Sequence, residues 1–263
     1  MKMGVLLCFF FLFFSSASAT CKQCVFSKAA FFASSKGLSG GACGYGPYAL
    51  DFHGGHVAAA LPSIYKKGEG CGACFQIRCN NSAICSTKGT KIVVTDVHTD
   101  KTKSTQFVLS SRAFRAMALP GKDRQLLHVG IADVEYKRVP CVYKGQNLSI
   151  RVEEFSKFPN YLAIKVLYQG GQTSILGGDV ASVDNLSNWV YLSQNYGAVW
   201  DTDNAPSGKL VFRFIINSGF DSRYFYTNEG VLPANWKPGV VYNSSVQISD
   251  IALDGCVPCK TWK

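Results

Sequence analysis

The sequence predicts an all-β protein of two domains, a small closed barrel followed by a β-sandwich. Short apolar runs alternate with glycine-rich turns along most of the chain, which is typical of many short strands. Aromatic residues make up 13% of the 263 residues and charged residues only 17%, and this composition favours packed cores over disorder. About 240 residues remain after an N-terminal export signal, a length that suits two domains.

Residues 1–19 form a predicted secretory signal peptide. An apolar block from Val5 to Phe14 is followed by small residues that end in the cleavage motif Ala17-x-Ala19. A membrane-spanning helix needs about 20 apolar residues, and this block is roughly half that long. We therefore expect a secreted, extracellular protein without a membrane anchor.

The barrel is predicted between Cys24 and Tyr136. Ser110 is a candidate N-cap for a short helix that ends near Ala118. Many strands around one short helix favour a small closed barrel, here assigned to residues 20–139. The expected strands are Lys91–Val97, Gln106–Leu109 and Leu127–Tyr136.

The sandwich is predicted after a boundary at Arg138–Gly145, and it is assigned to residues 140–263. Strands recur at regular spacing without a predicted helix, which favours a β-sandwich. Glycine pairs such as Gly177-Gly178 are interpreted as turns between the strands. The expected strands are Leu148–Val152, Leu162–Tyr168, Trp189–Leu192, Lys209–Ile216 and Val246–Ile251.

Cysteine usage indicates an oxidising compartment. Of the eleven cysteines, Cys8 lies in the signal peptide, and the ten that remain allow up to five disulfides. The two terminal Cys-x-x-Cys pairs have three interpretations: structural disulfides, a Cys₄ zinc site or a redox motif. Secretion favours disulfides, so no metal is expected, but the sequence leaves their pairing open. These four residues are Cys21, Cys24, Cys256 and Cys259.

The formal net charge of +10 indicates an acidic partner or simply good solubility. No run of five or six basic residues and no nucleic-acid-binding module is present, so an acidic wall polysaccharide such as pectin is favoured over nucleic acid. No cofactor motif occurs. Four sequons predict surface positions that can accept N-linked glycans. Their asparagines are Asn80, Asn147, Asn185 and Asn243.

Several motifs occur in one consistent order along the chain, and with them it resembles the expansins over nearly the whole mature length. The terminal cysteine pairs resemble the expansin-like A subfamily in particular. The resemblance implies a six-stranded double-psi β-barrel, related to family 45 glycoside hydrolases, and an immunoglobulin-like carbohydrate-binding domain. It also implies the disulfides Cys43–Cys71, Cys74–Cys141 and Cys79–Cys85. The motifs are Gly40–Gly46, Cys71–Cys79, Gly130–Cys141, Pro159–Ala163, Tyr196–Trp200 and Leu232–Trp236.

The same resemblance implies a glycan groove on the barrel, and one of the two carboxylates needed for hydrolysis is missing from it. Glycosidases of this kind need two carboxylates, one as acid and one as base. Asp96 matches the first carboxylate, but Val108 stands at the second and cannot transfer a proton. Acid–base catalysis contributes about 10²–10⁴-fold, so we expect no hydrolysis. Other expected groove positions are Tyr45 and three that replace polar residues of the family, Ala30, Phe32 and Leu38.

Expansin C-terminal domains bind polysaccharide on exposed aromatic rings, whose faces bury the C–H faces of sugars. Tyr161 and Tyr196 match two positions of this platform. Trp189 is a further candidate, whereas Trp200 and Trp236 are expected in the core. Basic side chains near the first sandwich strand, Lys157 and Lys165, are expected to contact acidic glycans.

These features predict a secreted, monomeric, non-enzymatic wall protein that binds cellulose, xyloglucan or acidic matrix glycans and loosens their contacts without hydrolysis. One alternative is a weak glycan-cleaving enzyme that uses Asp96, to which His98 or Asp100 in the following turn contributes. The other alternative is a structural or signalling wall protein whose groove holds a peptide or a small ligand.

Overall fold

The computed structural model describes residues 25–32, 41–102, 104–217 and 221–251. Within these ranges the chain forms three short helices and fourteen strands. The helices are α1 (Pro62–Tyr65), α2 (Ser111–Ala116) and α3 (Asp123–Val129). The strands are β1 (Val25–Phe31), β2 (Val57–Ala60), β3 (Cys74–Cys79), β4 (Thr90–Val97), β5 (Thr105–Leu109), β6 (Ala132–Arg138), β7 (Ser149–Val152), β8 (Leu162–Leu167), β9 (Ser174–Ser182), β10 (Asn185–Tyr196), β11 (Val199–Thr202), β12 (Leu210–Asn217), β13 (Ser222–Tyr226) and β14 (Val241–Asn243).

Strands β1 to β6 close into a barrel in the order β1-β5-β2-β4-β3-β6, and β6 pairs back onto β1. Two of the pairs, β1 with β5 and β2 with β4, are parallel, and the others are antiparallel. Alternate side chains fill the interior, because successive residues of a strand point to opposite faces. Phe107, Leu109, Ile77, Ile92 and Val134 are fully buried there. The predicted closed barrel is confirmed.

The α2 helix begins where the sequence predicts it. The hydroxyl of Ser110 accepts a hydrogen bond from the backbone N–H of Ala113 at 3.2 Å and donates one to the carbonyl oxygen of Gly55 at 2.8 Å. The prediction of one strand over Leu127–Tyr136 is wrong in its first half. That part belongs to α3, which ends at Val129, and strand β6 starts only at Ala132.

The second domain is a sandwich made from one folded sheet of eight strands, in the order β13-β12-β9-β10-β11-β8-β7-β14. Strand β10 joins its two layers, since residues up to Leu192 pair with β9 and residues Ser193–Tyr196 pair with β11. Side chains of both layers meet in one core that includes Ile164, Trp200 and Phe212. The predicted sandwich is confirmed.

Two details of the predicted sandwich are wrong. Gly177 and Gly178 lie inside β9 rather than in a turn. A Cβ atom on Gly178 would lie 2.9 Å from Cδ1 of Phe214, so glycine is needed there for packing. The segment Val246–Ile251 forms no strand, although Ile248 is buried in the sandwich core.

The two domains are joined by a third buried cluster that contains Cys43, Tyr45 and Phe52 of the barrel with Leu167 and Ala198 of the sandwich. The backbone N–H of Ala198 donates to the carbonyl oxygen of Cys43 at 3.0 Å. Among the described residues there are three disulfides, which are the pairs that the resemblance implies, and the first two lie in this cluster. They are Cys43–Cys71, Cys74–Cys141 and Cys79–Cys85. In the described part of the chain, no helix is long and apolar enough to cross a membrane.

Candidate functional site

Asp96 lies near the end of β4, where its carboxylate holds the barrel loop at residues 41–45, which contacts the sandwich. Its Oδ1 atom accepts hydrogen bonds from the backbone N–H groups of Ala42 at 2.7 Å and Val97 at 2.8 Å. The hydroxyl of Tyr65, at the end of α1, donates to the carbonyl oxygen of Ala42 at 3.2 Å. Burial, followed by the negative charge of Asp96, raises the pKa of Tyr65. Tyr65 therefore stays neutral beside the carboxylate.

The strand register places Val108 in the same row as Asp96, two strands away. Ala59 on β2 pairs with Asp96 on one side and with Val108 on the other, and Val108 in turn pairs with Ala30. The two residues thus lie two strand spacings apart, roughly 10 Å between backbones. Paired carboxylates of inverting glycosidases are about 6.5–9.5 Å apart. Val108 therefore lies in the same row as Asp96 with only Ala59 between them, and it carries no ionisable group.

The polar residues after Asp96 form hydrogen bonds within the barrel domain. Asp100 accepts hydrogen bonds from Thr102, Ser104 and Thr105 within its own loop. These bonds hold the pKa of Asp100 well below its ordinary value, so it remains ionised and has no proton to give. The Nε2 atom of His98 lies 3.3 Å from the carbonyl oxygen of Gln106, and this contact joins the end of β4 to β5.

Tyr196 lies where the sandwich meets the barrel. Its side chain is 43% exposed, and its ring covers Gly44, which has a φ of +75°. A Cβ atom on Gly44 would lie 2.6 Å from Cε2 of Tyr196, so only glycine lets the loop pass under the ring. Gly44 belongs to the same loop as Ala42, which Asp96 holds. The carboxylate of the groove and the exposed ring of the sandwich therefore flank one short loop.

Tyr161 lies further along the same layer of the sandwich. Its hydroxyl donates to Oδ2 of Asp201 at 2.7 Å, and the Asn195 side chain donates to the same oxygen. Burial and the hydrogen bond to Asp201 raise the pKa of Tyr161 to about 12. The Phe155 ring, 43% exposed, lies 6.3 Å from the ring of Tyr161. Sequence reasoning missed Phe155, because no periodic pattern marks an exposed aromatic residue in a hairpin loop.

Lys165 does not contact glycans as predicted, because its side chain is buried. Its Nζ atom lies 3.0 Å from Oε1 of Glu153, and Arg151 pairs with the same carboxylate at 2.8 Å. Burial lowers the pKa of Lys165. By contrast, Lys157 is exposed and pairs by backbone hydrogen bonds with Tyr161 at 2.8 and 2.9 Å. Lys157 is thus the basic residue beside the platform.

Other candidate residues separate into core and surface. Tyr45 is 4% exposed and packs edge-on against Phe52 between the domains, which leaves it little surface for a glycan. Trp200 and Trp236 are in the core, as expected, whereas Trp189 stands on the outer face of the other layer. Of the four sequon asparagines, Asn147 is half-buried. The other three are exposed, namely Asn80, Asn185 and Asn243.

Several predicted residues lie outside the described ranges, namely Leu38 and the terminal cysteines Cys21, Cys24, Cys256 and Cys259. Their predicted roles and pairings stay predictions. Among the residues that the structure describes, no group of His, Cys, Asp and Glu side chains is arranged to hold a metal ion.

The fold and the site define a class of protein: a closed six-stranded β-barrel with the carboxylate of Asp96 near the end of one strand, packed against a β-sandwich that carries the exposed ring of Tyr196. Comparisons with known proteins narrow the class. Residues 57–136 match the lytic transglycolase family model, and residues 148–233 match the expansin C-terminal domain. Expansin-like A2 of Arabidopsis thaliana is 55% identical to the chain, and the alignment covers 94% of this chain and 93% of that protein. Expansin-like A1 of the same plant is 54% identical, and the alignment covers 95% of this chain and 94% of that protein. The chain belongs to the expansin superfamily, within the expansin-like A group.

Solved structures agree on the fold. Apo Clavibacter michiganensis expansin superposes with a TM-score of 0.63 at 17% identity, over 85% of this chain and 97% of that protein. A mutant of the same expansin in complex with cellohexaose superposes with a TM-score of 0.62, also at 17% identity, over 85% and 98%.

Proposed function

We propose that this protein is secreted to the plant cell wall, binds wall polysaccharide without hydrolysing it, and loosens contacts between cellulose and matrix glycans. The observation that carries the proposal is the continuous surface from Asp96 across the Gly44 loop to Tyr196 and Tyr161. A polymer chain that lies along this surface meets aromatic rings in the sandwich and one carboxylate in the groove.

The chemistry of the groove supports binding without cleavage. Asp96 is held by two backbone donors, and Val108 lies two strands away in the same row. General acid–base hydrolysis by two carboxylates has no second participant at that position. Membership of the expansin-like A group and the cellohexaose complex of a bacterial expansin agree with this role.

Exposed basic side chains support a contribution from acidic glycans. Lys157 lies beside Tyr161, and Lys66 and Lys67 are exposed directly after Tyr65. A negatively charged chain on this surface gains attraction that salt screens over about 10 Å at 0.1 M ionic strength. We propose that xyloglucan or cellulose binds mainly through the rings, that pectin-like chains bind with added salt dependence, and that the protein acts as a monomer.

The test measures binding to insoluble cellulose and to xyloglucan-coated cellulose, with reducing ends assayed in the supernatant. The double variant Tyr161→Ala/Tyr196→Ala is expected to lose the part of the binding that the platform provides. Phe26→Ala, which removes a ring that is 67% exposed on the barrel, is the matched control and is expected to bind like wild type.

The outcomes separate the candidate functions. Binding lost in the double variant, without sugar release by any variant, supports the proposal. Sugar release that disappears in Asp96→Asn would make the protein an enzyme. An absence of binding by wild type would favour the structural or signalling role. Extension of wall strips under constant load then tests whether binding leads to loosening.

A further inference from the structure

A second aromatic surface lies on the layer of the sandwich that faces away from Tyr161 and Tyr196. We call it the β12 face, and it consists of Trp189, Tyr191, Tyr224 and Tyr226 around Arg213. The three tyrosines are 59%, 43% and 51% exposed. They project from β10 and β13, on either side of β9 and β12.

Two rings of the β12 face, those of Trp189 and Tyr224, are held in place by a charge that is already compensated. The guanidinium of Arg213 lies 4.3 Å from the ring centre of Trp189 and 4.4 Å from that of Tyr224. Its Nε atom donates to Oδ2 of Asp179 on the neighbouring strand at 2.7 Å. Cation–π contacts of this kind order the rings before any ligand arrives. A ligand therefore loses less free energy to side-chain ordering when it binds.

The register sets the length of the face. Tyr191, Asp179, Arg213 and Tyr226 form one row across four strands. Three strand spacings amount to roughly 14 Å, so the two tyrosines at its ends lie farther apart than one sugar ring reaches. Gly177 lies beside the Tyr191 ring, since a Cβ atom on Gly177 would be 3.9 Å from Cε2 of Tyr191. Because glycine has no side chain, the surface next to the ring stays open.

The chemistry of the face selects an uncharged ligand. Asp179 neutralises Arg213, and the four rings carry hydroxyl or N–H groups at their edges and apolar faces between them. Sugars combine the same two properties, apolar C–H faces and a rim of hydroxyls. An anionic chain would find no uncompensated positive charge within this row. We infer that the β12 face is a second binding site for a neutral glycan chain of several sugar units.

The inference deepens the proposed function and rests on it, because the same class of polymer binds the Tyr161–Tyr196 platform. The two sites lie on the outer faces of opposite layers, with the core between them. One molecule can therefore hold two glycan chains, one on each side of the sandwich.

The test titrates cellohexaose, a neutral glucan fragment, by calorimetry. Wild type is expected to bind two equivalents. The variants Tyr191→Ala/Tyr226→Ala and Tyr161→Ala/Tyr196→Ala are each expected to lose one site, with affinity there reduced at least tenfold. Tyr191→Phe/Tyr226→Phe keeps the rings and is the matched control, expected to retain two sites. Thermal unfolding confirms that each variant is folded.

A second readout reports on the β12 face alone. Because Trp200 and Trp236 are buried and Trp189 is half-buried on the β12 face, the change in tryptophan fluorescence on titration, measured in a Trp262→Phe background, should vanish in Trp189→Phe. This change should persist in Tyr161→Ala/Tyr196→Ala.

The outcomes distinguish this inference from the proposed function. One equivalent in wild type, lost with the Tyr161 and Tyr196 rings, would overturn the inference and leave the proposed function intact. Binding that survives only at the β12 face would support the inference and overturn the platform. Self-association that disappears in Tyr191→Ala/Tyr226→Ala would show that the face joins two copies of the chain and would overturn the inference.

Discussion

Substituting Gly44 with alanine should damage both stability and polysaccharide binding, although Gly44 itself offers no side chain to a ligand. Its φ of +75° lies in the left-handed region, where a non-glycine residue costs roughly 1–2 kcal/mol. The new methyl group would also lie 2.6 Å from the Tyr196 ring, and overpacking of this kind costs roughly 1–3 kcal/mol. Together these give a loss of about 2–5 kcal/mol in the free energy of unfolding.

Two controls separate the backbone effect from the steric effect. Gly121 has a φ of +77° and no atom within 4 Å of a Cβ position, so Gly121→Ala should show the backbone cost alone. In a Tyr196→Ala background, Gly44→Ala should likewise cost only the backbone part, because the ring is gone.

The assay is urea unfolding followed by tryptophan fluorescence, together with the cellulose pull-down. Gly44→Ala should bind cellulose about as weakly as Tyr196→Ala, since the displaced ring leaves the platform. The reasoning is refuted if Gly44→Ala unfolds at the same urea concentration as Gly121→Ala and binds cellulose like wild type.

Two further predictions concern charge. Glu153→Gln leaves Lys165 buried without its carboxylate and should lower the free energy of unfolding by roughly 3–5 kcal/mol. The control Glu154→Gln changes a side chain that is 75% exposed and should cost less than about 1 kcal/mol. Equal urea midpoints of unfolding for the two variants would contradict the buried network. Burial, with nearby positive charge, lowers the pKa values of His53 and His56 below 6.5. The unfolded chain therefore binds more protons just below pH 6.5, and stability should fall as the pH drops through that range. This slope should flatten in His53→Gln/His56→Gln, and an unchanged slope in thermal unfolding measured between pH 7 and 5 would argue against the assignment.

The fold was predictable where local pattern and packing agree. Ser110 predicted the start of α2 because a serine hydroxyl can accept a hydrogen bond from a free backbone N–H of the first helical turn. The Leu148–Val152 run forms β7 almost residue for residue. The stretch Leu127–Tyr136 misled, because Leu127 suits a strand but packs against the barrel core from a helix, next to the buried Leu126. Gly177-Gly178 misled for the opposite reason, since glycine there makes room for a distant ring rather than for a turn.

The site was less predictable than the fold, because its properties depend on residues that are distant in sequence. Lys165 is buried through Glu153, twelve positions earlier. The Trp189 environment depends on Arg213 and Tyr224, on strands that a linear pattern cannot place beside β10. Single positions such as Asp96 and Val108 could be read from the sequence, whereas the loop that joins groove and platform required the three-dimensional arrangement.

Strand β10 gives the sandwich an unusual mechanical connection. Trp189 and Tyr191 lie near its middle on one layer, and Tyr196 ends it on the other. If both faces are loaded by separate polymer chains, tension between them runs along the peptide bonds of one strand instead of shearing one layer past the other.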